Sequence, residues 1–300
     1  MCNNGKWGYI NNCGTWIVQP FYDAVALFND GLAVVKNACG SGFLDPSGAE
    51  VIPCQYLDAM GFLNGLAPVM FRENKNAKPV WKFISKNNKQ VCSTVYDFAG
   101  NHWDGFARVN LGGKWGYVDE KCHTAVECQF DWAGDFCDGL AKVQIIEKNL
   151  KTIYINKLGE SAFSQEFENG EDFSHGYAAV YIDKKWGFID SKGVMISQFK
   201  WEEVGEFAEG LAPVLENGYW KYIDGGGNLA FSQKFQEAKS FSEGLAGVKL
   251  DHKWGFISLS GDLVIEPKFG MVDDFINGLA PVNFNGQFCY VNTSGAVVAP

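Results

Sequence analysis

The chain has 300 residues, 35 acidic against 25 basic side chains for a net charge of −10, and is 47% hydrophobic and 15% aromatic. That much apolar surface excludes disorder as the dominant state. The acidic balance excludes a surface built to displace counterions, so no nucleic acid is expected as partner. No apolar run approaches the roughly 20 residues of a membrane helix, and residues 1–6 (MCNNGK) are largely polar. We therefore expect no membrane insertion, no leader peptide and a cytoplasmic location.

In chain order the first element is a strand, Lys6-Trp7-Gly8-Tyr9-Ile10. Near copies follow as Lys114-Trp115-Gly116-Tyr117-Val118, Lys185-Trp186-Gly187-Phe188-Ile189 and Lys253-Trp254-Gly255-Phe256-Ile257. Aligned on the tryptophan, equivalent positions fall at 7, 41, 81, 115, 152, 186, 220, 254 and 288, so the repeat is about 34 residues long. Position 41 is Ser, 152 Thr and 288 Phe, and Lys82 and Lys221 stand where other copies carry Gly. After each Trp strand comes a turn such as Asp45-Pro46-Ser47-Gly48 or Asp190-Ser191-Lys192-Gly193, with the Asp-first, Gly-last chemistry of type I turns.

A third strand follows, as in Val264-Ile265-Glu266-Pro267-Lys268-Phe269. Its aromatic lies six residues before a repeated Phe, with a small residue midway: Tyr56, Ala59 and Phe62, or Phe235, Ala238 and Phe241. That spacing fits either a short helical turn or an irregular strand. Next is a Gly-Leu-Ala-x-Val strand, as in Gly210-Leu211-Ala212-Pro213-Val214, whose glycine stands 24 residues after each Trp position from Gly31 to Gly278. Asn217-Gly218, Asn285-Gly286 or Gly112-Gly113 then turns it back into the next Trp strand, a strong hairpin signal. A two-residue turn sets Val248 opposite Gly255 and Ala246 opposite Ile257. One hairpin face is thus small and apolar, and the in-strand glycine marks close packing, expected here against a neighbouring layer.

The Trp-Gly strings, the Ile265-Glu266-Pro267 stretch and the Phe275-to-Ala280 stretch keep one spacing over residues 6–300. In these features the chain resembles the WG-repeat, or KWG-repeat, family. The resemblance implies a bacterial multi-repeat protein and brings no assigned reaction. From residues and resemblance together we expect an all-β tandem repeat protein, a single array over 1–300 with an incomplete last unit. It would hold about nine three-stranded units. An open β-solenoid or superhelix is favoured because the ends are unequal, with an 8–9-bladed β-propeller as the alternative.

The nine cysteines do not follow the repeat. Since a structural bridge in a repeat protein would recur with it, most are read as small buried apolar residues in a reducing compartment. The repeat positions Trp7, Trp115, Trp186, Trp254, Gly8, Gly116, Gly187 and Gly255 are read as structural, with each Trp in the core. Off-pattern aromatics Trp16, Trp103 and Trp132 are better binding candidates, as are Arg72 and Lys75 in the hairpin insertion over 72–78. The four histidines fall at unrelated repeat positions, and His102 replaces a repeated Phe. No catalytic or metal motif is present, so no catalytic residue, metal or cofactor is assigned and no enzyme is expected. The acidic residue before each repeated Gly is read as turn chemistry. The expected function is a non-enzymatic scaffold for a protein partner, with self-association through terminal repeats a further expectation. The alternatives are a carbohydrate or cell-envelope binding module and a propeller-type enzyme.

Overall fold

A computed structural model describes residues 2–3, 5–11 and 15–298 of the chain; Cys13 and Pro300 lie outside them. Among the described residues every element is a strand, and no helix is long and apolar enough to cross a membrane. The chain forms two compact units, Met1–Ile145 with Asn156–Glu160, and Ile146–Ile155 with Ser161–Pro300. Each is a run of small antiparallel sheets.

In the first unit, Ala24–Val25, Ala33–Asn37, Gly40–Leu44 and Glu50–Tyr56 pair in that order as a four-stranded meander. In the second, Glu237–Ala238, Leu245–Leu250, Lys253–Ser258 and Leu263–Phe269 do the same. The last three strands of each set are the expected ones: Gly-Leu-Ala, Trp and third strand. The first, here called the lead strand, settles the open spacing around the small residue: it is a two-residue strand. Among the described residues four sheets hold four strands and five hold three.

Two tight turns set the register. Asn217 and Gly218 both adopt positive φ (54° and 75°), as the I′ hairpin turn demands. Val248 does face Gly255, and Ala246 faces Ile257. A second turn of the same kind, at Asp30 and Gly31, joins the lead strand to the Gly-Leu-Ala strand.

The in-strand glycine has a different cause from the one expected. A Cβ on Gly116 would lie 2.5 Å from the Val126 carbonyl oxygen, and one on Gly255 2.4 Å from that of Ile265. These carbonyls belong to the third strand of the same sheet. Register shifts in that pairing bend the third strand across the Trp strand, and the glycine makes room for its backbone. At Lys82 and Lys221 the third segment retains only isolated bridges, such as Trp81 to Tyr96 and Trp220 to Phe235. The stems then find other surroundings. Lys82 Nζ sits 4.3 Å from the Phe71 ring centroid, and Lys221 pairs with Glu216.

The core is a series of small cores, each taking side chains from successive sheets. One gathers Phe43, Ile52, Phe62, Ala67 and Val69; another gathers Tyr222, Phe235, Phe241, Ala246 and Val248. The repeated Trp is not uniformly core. Trp254 is 8% exposed and Trp7 41%, with Trp115 and Trp186 between. The Trp pairs next to the hairpin tip, as Trp254 does with Lys249. The aromatic two residues on lies two pairs further inward and is the buried ring: Phe43, Tyr117, Tyr154, Tyr222 and Phe256.

The cysteine reading also needs correction. Cys92 and Cys122 form a disulfide, Cys39 is exposed, and Cys54, Cys128, Cys137 and Cys289 are only partly buried. The bridge replaces a contact that recurs. The glycine closing several of the turns after the Trp strand presses on a side chain of the preceding sheet, Gly159 on Val126 and Gly261 on Phe231. Cys122 occupies that glycine's place, even at positive φ (65°), and Cys92 occupies the place of its partner. A bridge thus needs only one junction with cysteine on both sides. Burial, then the Glu50 carboxylate, push the Cys54 thiol up to about 11, which leaves it protonated and inert at neutral pH.

Two measurements check these assignments. Trp254→Ala should cost about 3–5 kcal/mol, Trp186→Ala less and Trp7→Ala least, read from melting temperatures of the purified variants. Cys122→Ser should lower stability by about 2–4 kcal/mol, and non-reducing peptide mapping should recover the 92–122 linkage.

Candidate binding site at a repeat junction

Each junction between sheets is built from the same ring pair. The aromatic two residues after the Trp position packs on the repeated Phe 19 residues later. Centroids are 4.8 Å apart for Phe43–Phe62, 4.7 Å for Tyr117–Phe136, 5.0 Å for Phe188–Phe207 and 4.9 Å for Phe256–Phe275. Where the first ring is Tyr, its hydroxyl donates to a carbonyl on the next lead segment. Tyr117 bonds Gly134 at 2.7 Å and Tyr222 bonds Lys239 at 2.6 Å. His102 takes the Phe place against Phe83 at 5.0 Å, almost wholly buried, its Nε2 3.2 Å from the Asp119 carbonyl oxygen. Burial holds its pKa below the ordinary histidine value, against the raising influence of Asp119 and Glu120.

The acidic residues before the repeated glycines do more than form turns. Asp30 accepts from the Gly65 amide at 2.6 Å and from Lys86 at 2.8 Å, both in the next repeat. Asp104 does the same with Gly139 and Lys157, and Glu243 accepts from the Asn277 and Gly278 amides. The Lys86 hydrogen bond is the main cause that holds the Asp30 carboxyl below the usual carboxylate range. These carboxylates are occupied in joining repeats, and their side chains reach 35 residues along the chain.

Between the invariant Ala and Val of the Gly-Leu-Ala strand stands one variable residue, next to the following sheet. Where it is Arg108, the side chain crosses the junction. Its Nη1 donates to the Ala133 carbonyl at 3.1 Å, and its Nε lies 3.1 Å from Asp135 Oδ1, the facing atoms shut off from water. The guanidinium also lies 5.8 Å from the Phe98 ring and 5.7 Å from Trp115. Where the variable residue is Gly247, Lys239 enters from the lead segment and pairs with Asp273 at 2.9 Å. Where it is Ala179, the junction holds a cavity of about 270 Å³, walled by Tyr177, Phe188, Val204, Phe207 and Glu206. Tyr177 and Phe207 lie 4.3 Å apart at its floor.

The five binding residues read from the sequence are not brought together. Trp103 is 49% exposed beside the Asp104-Gly105 turn, and Trp16, half-buried, opens a third strand in another sheet. Arg72 and Lys75 are exposed on the elongated hairpin tip, at the opposite end of their sheet. Trp132 is half-buried under Lys142, whose Nζ is 5.0 Å from the ring. The cavity residues were not singled out from the sequence. Their signal was there, in the change of one repeat position from Arg108 to Ala179, but its meaning depends on which sheet faces it.

These features define a tandem β-repeat protein, one small sheet per repeat, tied by ring pairs and carboxylate-to-amide bonds. The model of the WG containing repeat matches residues 7–38, 42–75, 83–115, 115–148, 154–186, 186–220, 222–254 and 254–288, so the chain belongs to that family. No curated protein matches the sequence. Among solved structures, one titled "Crystal structure of the eukaryotic initiation factor" aligns with TM-score 0.62 at 10% identity. The alignment covers 92% of this chain and 86% of that one. Kluyvelomyces marxianus Hsv2 aligns with TM-score 0.42 at 9% identity over 78% of this chain and 91% of that one. The structural neighbours have propeller-like folds, and the four-stranded meander seen here is a unit that a propeller and an open stack can both use.

His102 gives the junction a pH dependence of known sign. Its folded pKa lies below the unfolded one, so the unfolded chain binds the extra proton and stability falls as pH drops below about 6.5. The loss is at most about 1.4 kcal/mol per pH unit for one group. His102→Phe, which restores the repeated residue, should flatten the change in melting temperature between pH 7 and 5.

Proposed function

We propose that this protein is a non-enzymatic repeat scaffold that binds another protein. The observation that carries this reading is the Ala179 junction. Here a small side chain leaves a walled cavity open to solvent, where Arg108 fills the equivalent space two sheets earlier. A frame that repeats its contacts and departs from them at one polar-rimmed hollow has the form of a binding surface. The acidic side chains of the turns are engaged in repeat-to-repeat bonds, which argues against their use as general acids or bases. The carbohydrate reading is weaker because the repeated indoles pack on neighbouring rings. Trp115 lies 5.3 Å from Phe98 and Trp186 5.0 Å from Tyr181.

Affinity purification of the chain at native expression level, with crosslinking mass spectrometry, tests the proposal. One recurring protein should crosslink to residues of the second unit. Recovery of the chain alone, or release of the bound material by a glycan and loss of binding in Trp103→Ala, would overturn it.

A further inference from the structure

We propose that the Ala179 cavity receives an arginine side chain presented by the partner protein; the inference rests on the scaffold reading above and gives that partner its chemistry. The repeat supplies its own precedent. Arg108, Ala133, Gly134 and Asp135 occupy the positions that Ala179, Val204, Gly205 and Glu206 occupy two sheets further on. In the first set a guanidinium fills the junction, giving one N–H to the Ala133 carbonyl and setting another against Asp135. In the second set the carbonyl position and the carboxylate remain while the guanidinium is gone. No side chain among the described residues pairs with the Glu206 carboxylate.

At the Gly247 junction a cation comes from the lead segment and meets a carboxylate one position before the place of Asp135. There Lys239 enters from the position equivalent to Gly100 and meets Asp273. At the Ala179 junction that entry position is Glu171, a residue of opposite sign. Neither the Ala179 position nor the Glu171 position supplies a cation to the cavity. The cavity, about 270 Å³, is smaller than the roughly 300–1,000 Å³ of drug-sized pockets and suits a single long side chain.

The walls favour arginine over lysine. Tyr177, Phe188 and Phe207 offer ring surface to a planar cation and its aliphatic stem. The Val204 carbonyl and Glu206 carboxylate ask for two donors held in one plane, the fork that Arg108 uses and a point charge lacks. Phe188 stands where Tyr117 stands in the filled junction, and so sends no hydroxyl toward the Gly205 carbonyl as Tyr117 does toward Gly134. That leaves the floor of the slot apolar, where a stem would lie.

Calorimetry on the full chain with the peptide acetyl-Gly-Gly-Arg-Gly-Gly-amide, and its lysine and citrulline counterparts, tests the slot. The arginine peptide should bind saturably, at least tenfold tighter than the lysine peptide, and the citrulline peptide should not bind. Glu206→Gln should weaken binding at least tenfold. Ala179→Arg, which rebuilds the internal side chain, should abolish binding without lowering the melting temperature. Arginine and citrulline peptides of equal affinity, or binding that survives both substitutions, would overturn the slot. Acetyl-arginine amide binding as tightly as the peptide would keep the slot and overturn the protein as its source. An arginine-specific slot in a chain that purifies alone would sink the scaffold reading by itself, so the two failures are distinguishable.

Discussion

The ring pair at each junction is the contact on which the rest of this structure depends. A 34-residue sheet of three or four short strands cannot bury its own aromatic face, so it is stable only when the next sheet covers it. The pair Tyr117–Phe136 and its counterparts do this at nearly constant distance. The Tyr hydroxyls fix the angle of approach by reaching one carbonyl of the next lead segment. The carboxylate-to-amide bonds of Asp30, Asp104 and Glu243 then hold the turns in the same alignment from outside. Buried rings supply the stability, and polar bonds supply the registration.

Such a frame explains where variation can be tolerated. The in-strand glycines Gly42, Gly116 and Gly255 are fixed by the backbone of their own third strand, and the turn glycines Gly159, Gly193 and Gly261 by a side chain of the preceding sheet. The residue between the invariant Ala and Val is constrained by neither. It ranges over Val34, Pro68, Arg108, Lys142, Ala179, Pro213, Gly247 and Pro281. Each change alters what fills the following junction while leaving the ring pair untouched. The disulfide is an example of the same freedom: two cysteines at one junction replace a glycine-to-aliphatic contact with a covalent one.

Much of the sheet was legible in the sequence because hairpin turns act locally. Asn217-Gly218 states its own turn type, and a two-residue turn fixes the pairing outward from it, which is why Val248 meets Gly255 as counted. The family followed from three motifs at one spacing. What stayed hidden involves contacts between elements remote in the chain. The cause of the in-strand glycine depends on a bulged third strand, the Cys92–Cys122 bridge on how one turn meets the sheet before it, and the depth of each Trp on what its neighbours cover. The Ala179 cavity is the clearest case. An alanine in a strand carries no message, and its consequence appears only when Glu206 of the next sheet is seen facing the space that Arg108 fills elsewhere.

Charge completes the argument. With ten more acidic than basic side chains, this protein could have left carboxylates unpaired over its whole surface. Instead many are drawn into the junctions: Asp30 by Lys86, Asp135 by Arg108, Asp273 by Lys239. An internal cation at a junction neutralises the carboxylate that faces it. Removing that cation while keeping the carboxylate, as happens between Arg108 and Ala179, makes a hollow whose missing component is defined by its neighbours. Specificity would then come from the same geometry that provides cohesion elsewhere, because the donor arrangement that satisfies one junction internally is the one another must find in a partner.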